Sequence, residues 1–169
     1  MARTKLSSNR PKASRPHMKG YGVPESMEGA LPWSWAQERL VSSHNYWLTT
    51  VRPDGSPHTM VVWGIWLDGA YYFSTSATSR KGRNLQQNSN CIVCNENAEE
   101  AVIVEGVARK LNDGEIPPQA FRDYKAKYEW ELDPKMGPVH MLRPKTVFAM
   151  PEKQFPKAVT RWSFDEWGE

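Results

Sequence analysis

The chain has 169 residues, of which 39% are apolar and 11% aromatic, and this composition is sufficient for one packed domain. The formal charge of +3 is unevenly distributed, because residues 1–20 hold six basic side chains and no acidic one. The rest of the chain carries 16 basic and 19 acidic side chains, so a nucleic-acid partner is not expected for the domain.

The composition also argues against several kinds of targeting segment. No apolar run approaches the roughly 20 residues that cross a bilayer, and no apolar stretch of a secretory signal follows the basic leader. Pro11 and Pro16 interrupt the amphipathic helix of a transit peptide. We therefore predict a disordered basic tail over residues 1–20 and one domain over residues 21–169. Two cysteines make no disulfide framework, which favours a reduced, cytoplasmic setting.

The first half of the domain is predicted to start with a helix and to continue as strands. A capping box at Ser34 starts a short helix that ends near Val41. Three strands of an antiparallel meander follow at residues 46–51, 58–67 and 70–75, the last two joined by a tight turn at Asp68-Gly69.

The second half contains two predicted helices among further short strands. One helix begins near Ser79 and the other covers residues 117–130. The remaining strands are predicted at residues 91–94, 101–111, 139–142, 146–150 and 158–164. Many short strands with few helices indicate a mainly β fold, a small antiparallel barrel.

The segment Ser79-Arg80-Lys81-Gly82-Arg83 is the strongest candidate for a binding site. It follows a strand and opens a helix, where unpaired backbone N–H groups and the positive end of the helix dipole favour an anion. Cations at a helix start oppose that dipole, and a bound phosphate would relieve the conflict. The alternative is a solvated basic first turn.

Other reactive side chains form no recognisable motif. Cys91 and Cys94 have redox spacing, but residues three apart in a strand point to opposite faces, so we expect two buried or half-buried thiols. Glu105 is expected on an exposed face. The four histidines do not cluster by spacing, so we assign no metal site and no catalytic side chain.

Several segments taken in order carry more information than any one of them. They are residues 47–58 (WLTTVRPDGSPH), Val61-Val62-Trp63, Tyr72-Phe73-Ser74-Thr75, Ser79-Arg80-Lys81-x-Arg83-Asn84-Leu85 and Val104-Glu105-Gly106-Val107-Ala108. This series resembles the pyridoxamine 5′-phosphate oxidase-like superfamily of split-barrel flavin and deazaflavin oxidoreductases. The resemblance implies a six-stranded antiparallel split β-barrel and a homodimer with its cofactor at the subunit interface.

The resemblance also implies which residues bind the cofactor. The phosphate would lie on Ser79, Arg80 and Lys81, with Thr75 beside them. The remaining implied residues would line the ring or hold a longer anionic tail; they are Met60, Val61, Val62, Trp63, Arg83, Asn84, Arg161 and Trp162. Arg161 and Trp162 would close the ring pocket, either of the same subunit or of the partner subunit.

The implied activity is hydride transfer between the cofactor and a small planar or unsaturated substrate. Oxidation of vitamin B6 is not expected, because the family's phosphate-binding lysine and its Arg-x-His segment are replaced by Gly64-Ile65-Trp66 and Arg161-Trp162-Ser163. The cofactor is FMN or the deazaflavin F420, and the matches at residues 81–85 and 160–162 favour the deazaflavin. Two alternatives remain: a non-catalytic protein that stores or senses flavin, haem or another tetrapyrrole, and a nucleic-acid-associated protein that uses the basic tail with Arg80, Lys81 and Arg83.

Overall fold

The structure is a computed structural model, and it describes residues 11–165. Its three helices are α1 (Trp33–Ser42), α2 (Arg80–Gln87) and α3 (Pro118–Tyr128). The strands of the described part are β1 (Lys12–Ser14), β2 (Tyr46–Val51), β3 (Pro57–Val62), β4 (Gly64–Leu67), β5 (Ala70–Ser74), β6 (Asn90–Asn95), β7 (Glu100–Lys110), β8 (Val139–Pro151) and β9 (Thr160–Ser163).

All strand pairings are antiparallel, and the main path runs β1-β9-β8-β7-β6-β2-β3. The long strand β8 pairs with β7 along one edge. Its other edge is divided, because β5 pairs with the beginning of β8 and β9 pairs with its end. Within residues 11–165 the path does not close, since β3 pairs with β2 alone. This is a mainly β, split antiparallel arrangement, and the predicted fold class is confirmed.

Two hydrophobic clusters fill the interior. The larger lies under α1, where Trp162 is 1% exposed and Trp33 packs edge-on against it at 5.3 Å between ring centroids. The smaller lies under α3, which presents Ala120, Tyr124 and Tyr128 at the predicted four-residue spacing. Burying these large side chains supplies the main favourable term of folding.

Several predicted elements have the expected bounds. Strand β2 covers the predicted residues, and the turn at Asp68-Gly69 has positive φ at both residues, as a tight hairpin requires. Helix α1, however, begins at Trp33 with Pro32 before it, so Ser34 is not its cap. Trp33 contacts the core from the first turn, and Pro32 has the fixed φ that suits a helix start.

The predicted second strand is two strands, and the meander is broken between them. The hydroxyl of Tyr128 accepts from the N–H of Gly64 and donates to its carbonyl, which fixes the backbone after Trp63. A side chain at Gly64 would lie 2.3 Å from the Tyr71 hydroxyl, so only glycine fits there. Strand β4 then pairs with β5, and β5 pairs with β8 instead of continuing the meander.

Two further differences concern β8 and the N-terminal segment. The strands predicted at residues 139–142 and 146–150 are one strand, because a bulge opposite Glu105 and Gly106 accommodates Pro144. Residues 12–14 were placed in the predicted tail, yet they form β1 and pair with β9. The first ten residues of the predicted tail lie outside the described residues.

Candidate functional site

Helix α2 starts as the sequence predicts, with Ser79 as its N-cap. The Ser79 hydroxyl accepts from the N–H of Gly82 at 3.0 Å and donates to the carbonyl of Ser76 at 2.7 Å. Thr75, which is buried, contacts the same hydroxyl at 3.0 Å. The Ser79 side chain therefore holds the loop before α2 against the first helical turn.

Gly82 allows this loop to pack closely on the helix. A Cβ at this position would lie 2.1 Å from the carbonyl oxygen of Ser76. The N–H groups of Arg80 and Lys81 precede the first intrahelical hydrogen bonds, so they are free to bind an external acceptor. Close packing of the loop and free N–H groups are the two features that a phosphate cradle at a helix start requires.

Four basic groups converge on this helix start. Arg80 is exposed and Lys81 half-buried on α2, while Arg52 and His58 come from the hairpin that joins β2 to β3. Burial and the positive charges of Arg52, Lys81 and Arg80 lower the pKa of His58 below its ordinary value of 6.5. None of the salt bridges within residues 11–165 includes any of these four residues.

The sequence alone did not indicate His58 or Arg52 as site residues. Both flank the predicted turn at Pro53-Asp54-Gly55, and the hairpin register pairs His58 with Thr50. Thr50 in turn contacts α2, which brings the hairpin to the helix start. The Nδ1 atom of His58 is buried and has no hydrogen-bond partner among the described residues. Two features together could have identified Arg52 and His58: the register of the hairpin between β2 and β3, and the packing of α2 on β2.

Arg83 and Asn84, which were predicted together as cofactor-binding residues, have different surroundings in the next turn of α2. Arg83 is exposed and extends the basic surface along the helix. Asn84 is 1% exposed, and its side-chain amide donates to the Thr50 hydroxyl at 3.0 Å. Asn84 thus fixes α2 on β2 and does not lie on the surface that a cofactor would contact.

Strand β3 divides its predicted ring-lining residues between two faces. Met60 lies on the face of Leu48 and is 47% exposed, because no strand among residues 11–165 covers this edge. Val61 lies on the opposite face, beside Trp47. Val62 is buried in the core. Met60 and the unpaired backbone edge of β3 are therefore available beside the basic helix start.

Trp63 follows β3 and is held by an aromatic stack. Its indole lies parallel to the ring of Tyr128, with 4.7 Å between centroids and 9° between planes. The Tyr128 hydroxyl is itself held by Gly64, and the carbonyl oxygen of His44 lies 2.8 Å from it as an alternative acceptor of the same proton. Trp63 is 41% exposed, so it offers a positioned aromatic surface at the end of β3.

The two predicted residues on β9 are not brought to this site within one chain. Four strands separate β9 from β3 in the sheet order. Trp162 is a core residue against Trp33, so its ring is not available to a ligand, and we remove it from the candidate site. Arg161 is half-buried on the outer face of the sheet, near Ser14.

The outer face of the sheet carries a continuous row of apolar side chains. Strand register aligns five apolar residues from five strands, followed by Arg161 on the sixth; in order they are Val61, Trp47, Cys94, Ile103, Phe148 and Arg161. Trp47 is 47% exposed and Val61 44%, while the next three are half-buried. An apolar row of this length, ending at Arg161, is unusual on the free surface of a small domain.

The remaining sequence predictions can be placed on the structure. Cys91 is buried and Cys94 half-buried on opposite faces of β6, and burial raises the pKa of both thiols, to about 12 and about 11. Glu105 is exposed, as predicted. In the described part of the chain, no three His, Cys, Asp or Glu side chains group as metal ligands, and no helix is long and apolar enough to cross a membrane.

Comparison with known proteins gives a family match. Residues 36–154 match the family model described as pyridoxamine 5′-phosphate oxidase. No curated protein matches the sequence.

Solved structures with the same fold are distant in sequence. An F420 reductase is 20% identical with a TM-score of 0.55, and the alignment covers 69% of this chain and 98% of that one. A haem-binding protein from Mycobacterium smegmatis is 22% identical (TM-score 0.60; 72% of this chain and 55% of that one). A pyridoxamine 5′-phosphate oxidase-like protein from Listeria innocua is 14% identical (TM-score 0.55; 70% and 94%). At these identities the likeness concerns the fold.

Proposed function

The chain belongs to the pyridoxamine 5′-phosphate oxidase family, and we propose that it binds a flavin-type cofactor by its phosphate at the start of α2. The observation that carries this proposal is that Arg80 and Lys81 lie beside Arg52 and His58 at one helix start, and that none of the four forms a salt bridge in the described part of the chain. A phosphate dianion supplies the missing negative charge and accepts from the free N–H groups.

The space next to the basic site suits a planar ring. The free edge of β3 offers backbone donors and acceptors, Met60 offers an apolar contact, and Trp63 ends the strand with a fixed indole. When bound, the cofactor supplies hydride transfer to or from a small planar or unsaturated substrate. The residues of the chain orient the ring and exclude water from it; no side chain is assigned as an acid or base.

Among the two cofactors, we favour the deazaflavin F420 over FMN. Arg83 is exposed almost one turn beyond Arg80 and takes part in none of the salt bridges of residues 11–165. An anionic tail longer than a single phosphate would reach it. Because a deazaflavin reacts poorly with oxygen, this choice favours a reductase over an oxidase.

A homodimer with the cofactor at the subunit interface is part of the proposal. The apolar row from Val61 to Phe148 offers the area that a partner copy would cover. Arg161 ends this row, so it would face the partner subunit's half of the interface and contribute to the ring pocket only in the dimer.

Vitamin B6 phosphate is a poor candidate for the substrate. At the positions where the resemblance places a substrate-phosphate lysine, Ile65 is 2% exposed and Trp66 6%, and both pack in the core. Because neither position offers a cation to a substrate phosphate, a neutral, planar substrate is favoured over an anionic one.

The test is equilibrium titration of the purified apo-protein with F420, FMN and haem, followed by absorbance, with sedimentation of each complex. We expect a dimer that binds one deazaflavin per chain. In the double variant Arg80→Ala/Lys81→Ala, binding should weaken by about 1.5–3 kcal/mol for each lost charged contact. The matched control is Arg122→Ala/Lys125→Ala, which removes two exposed cations from α3.

Unchanged affinity in the α2 double variant, or equal weakening in the control, contradicts the phosphate site. The rival function, storage or sensing of a cofactor, is supported by the fold shared with a haem-binding protein. It predicts tight binding, of haem or of flavin, without hydride transfer from the reduced cofactor to any member of a panel of unsaturated acceptors.

A further inference from the structure

Lys127 on α3 is a half-buried amine held between two hydrogen-bond acceptors. Its Nζ donates to the carbonyl oxygen of Ser43 at 2.8 Å and to the hydroxyl oxygen of Tyr46 at 2.9 Å. The rings of Tyr46 and Tyr128 lie 5.1 and 5.8 Å from the same atom. Of these groups, only Tyr128 also takes part in the cofactor site described above, where its ring stacks on Trp63.

We propose that Lys127 is a nucleophilic amine that accepts an acyl group from a small activated carboxylic acid, such as an acyl phosphate. The geometry decides how the neutral amine is oriented. The Tyr46 hydroxyl donates to the carbonyl of Leu40, so its oxygen is left as an acceptor. Two N–H groups of Lys127 therefore satisfy Ser43 and Tyr46, and the nitrogen lone pair occupies the third direction.

The burial of Lys127 leaves part of this amine neutral near physiological pH. Burial lowers the pKa of Lys127 to about 8, although Glu96 and Asp123 act in the opposite direction. The two tyrosines stay uncharged, since burial raises the pKa of both hydroxyls. The backbone N–H groups of His44 and Asn45 hold the Glu96 carboxylate, which keeps it from pairing closely with Lys127.

The chemical step is a simple acyl transfer. The lone pair of Nζ forms a bond to the carbonyl carbon, and the bond from that carbon to the phosphate oxygen breaks with its electron pair. Phosphate leaves, and the proton lost by the nitrogen passes to water. The resulting amide keeps one N–H and no charge, so it can satisfy either Ser43 or Tyr46 but not both. Acylation would thus loosen α3 from the turn before β2.

The chain contains its own matched control. Lys125 lies on the same helix, is exposed, and has a pKa raised by its hydrogen bond and ion pair with Glu131. Cleavage after glutamate places both lysines in one peptide, residues 116–129. With a pKa of about 8, Lys127 is neutral at pH 7.5 in a far larger fraction of molecules than an ordinary lysine is.

The experiment treats the full chain with acetyl phosphate between pH 6.5 and 9.5, and tandem mass spectrometry measures the initial acetylation rate at each lysine. We expect Lys127 to react at least about tenfold faster than Lys125 at pH 7.5, with a midpoint near pH 8. In urea the two rates should become equal, and Lys127→Arg should remove the fast-reacting site.

Two outcomes would overturn the proposal. One is a Lys127 rate no greater than that of Lys125 in the folded chain. The other is a rate advantage that persists in urea, because it would then come from the local sequence and not from the two acceptors. Neither outcome depends on whether the chain binds a flavin.

Discussion

Arg15 and the pair Arg80 and Lys81 are basic residues with opposite surroundings. The guanidinium of Arg15 donates to the carbonyl oxygens of Ser26, Val159 and Glu28 at 2.7–2.8 Å. Arg80 and Lys81 lie beside two further basic groups and form no salt bridge within residues 11–165.

The difference shows that charge alone does not reveal what a basic residue does. Arg15 has its acceptors within the protein, so it joins the N-terminal segment to the loop before α1 and to the residue before β9. The side chains of Arg80 and Lys81 have no hydrogen-bond acceptor within residues 11–165, which is the state of a site that binds an anion from outside. Three changes test this distinction, beginning with the largest expected effect.

Arg15→Ala should lower the free energy of unfolding by about 2–3 kcal/mol, because three charge-assisted hydrogen bonds are lost from partly exposed positions. Urea denaturation measures this change. Lys12→Ala, an exposed change in the same segment, should cost less than about 0.5 kcal/mol. If the two variants were equally stable, or if Arg15→Ala weakened cofactor binding in the folded protein, the contrast with α2 would fail.

Asn84→Ala should destabilise the fold by about 1–2 kcal/mol, because the buried hydrogen bond to Thr50 is lost. Arg83→Ala, one residue earlier, is exposed and should leave stability unchanged while it weakens binding of a cofactor with a long anionic tail. Thermal unfolding and cofactor titration of both variants separate the two roles. A loss of affinity in the first variant with no loss of stability would reverse the assignment.

His58 should make cofactor binding depend on pH. In the free protein its lowered pKa keeps the imidazole neutral at pH 7.5. A bound dianion offsets the nearby positive charges and raises that pKa, so binding takes up a proton and strengthens as pH falls. Between pH 7.5 and 5.5 we expect a larger gain in affinity for the unmodified chain than for His58→Gln, in which the phosphate titrates equally. Identical pH profiles would place His58 away from the anion.

Local patterns in the sequence were sufficient for much of the fold and for the start of α2. β-Branched and aromatic residues located β2, the Asp-Gly turn located the β4–β5 hairpin, and Ser79 with the following cations located the helix start. These features depend on residues close together in sequence, where propensity and turn chemistry decide the structure.

Features that depend on distant residues were missed or misplaced. The break after β3 depends on Tyr128, which lies 64 residues beyond Gly64. His58 joins the basic site because the hairpin register and the Thr50–Asn84 hydrogen bond bring it there. The residues adjacent to Trp162 indicate only that it is an aromatic residue in a short strand. The packing of α1 against it shows that its ring is in the core.

The shared strand β8 also has a consequence for how the molecule folds. Its 13 residues pair with β5, β7 and β9, so neither half of the split sheet can be completed before β8 is in place. These contacts join segments far apart in sequence, and such non-local pairing is slow to form and cooperative once formed. The two halves of the sheet are therefore expected to gain and lose their order together, whereas the one-sided strand β3 can fray without disturbing β8.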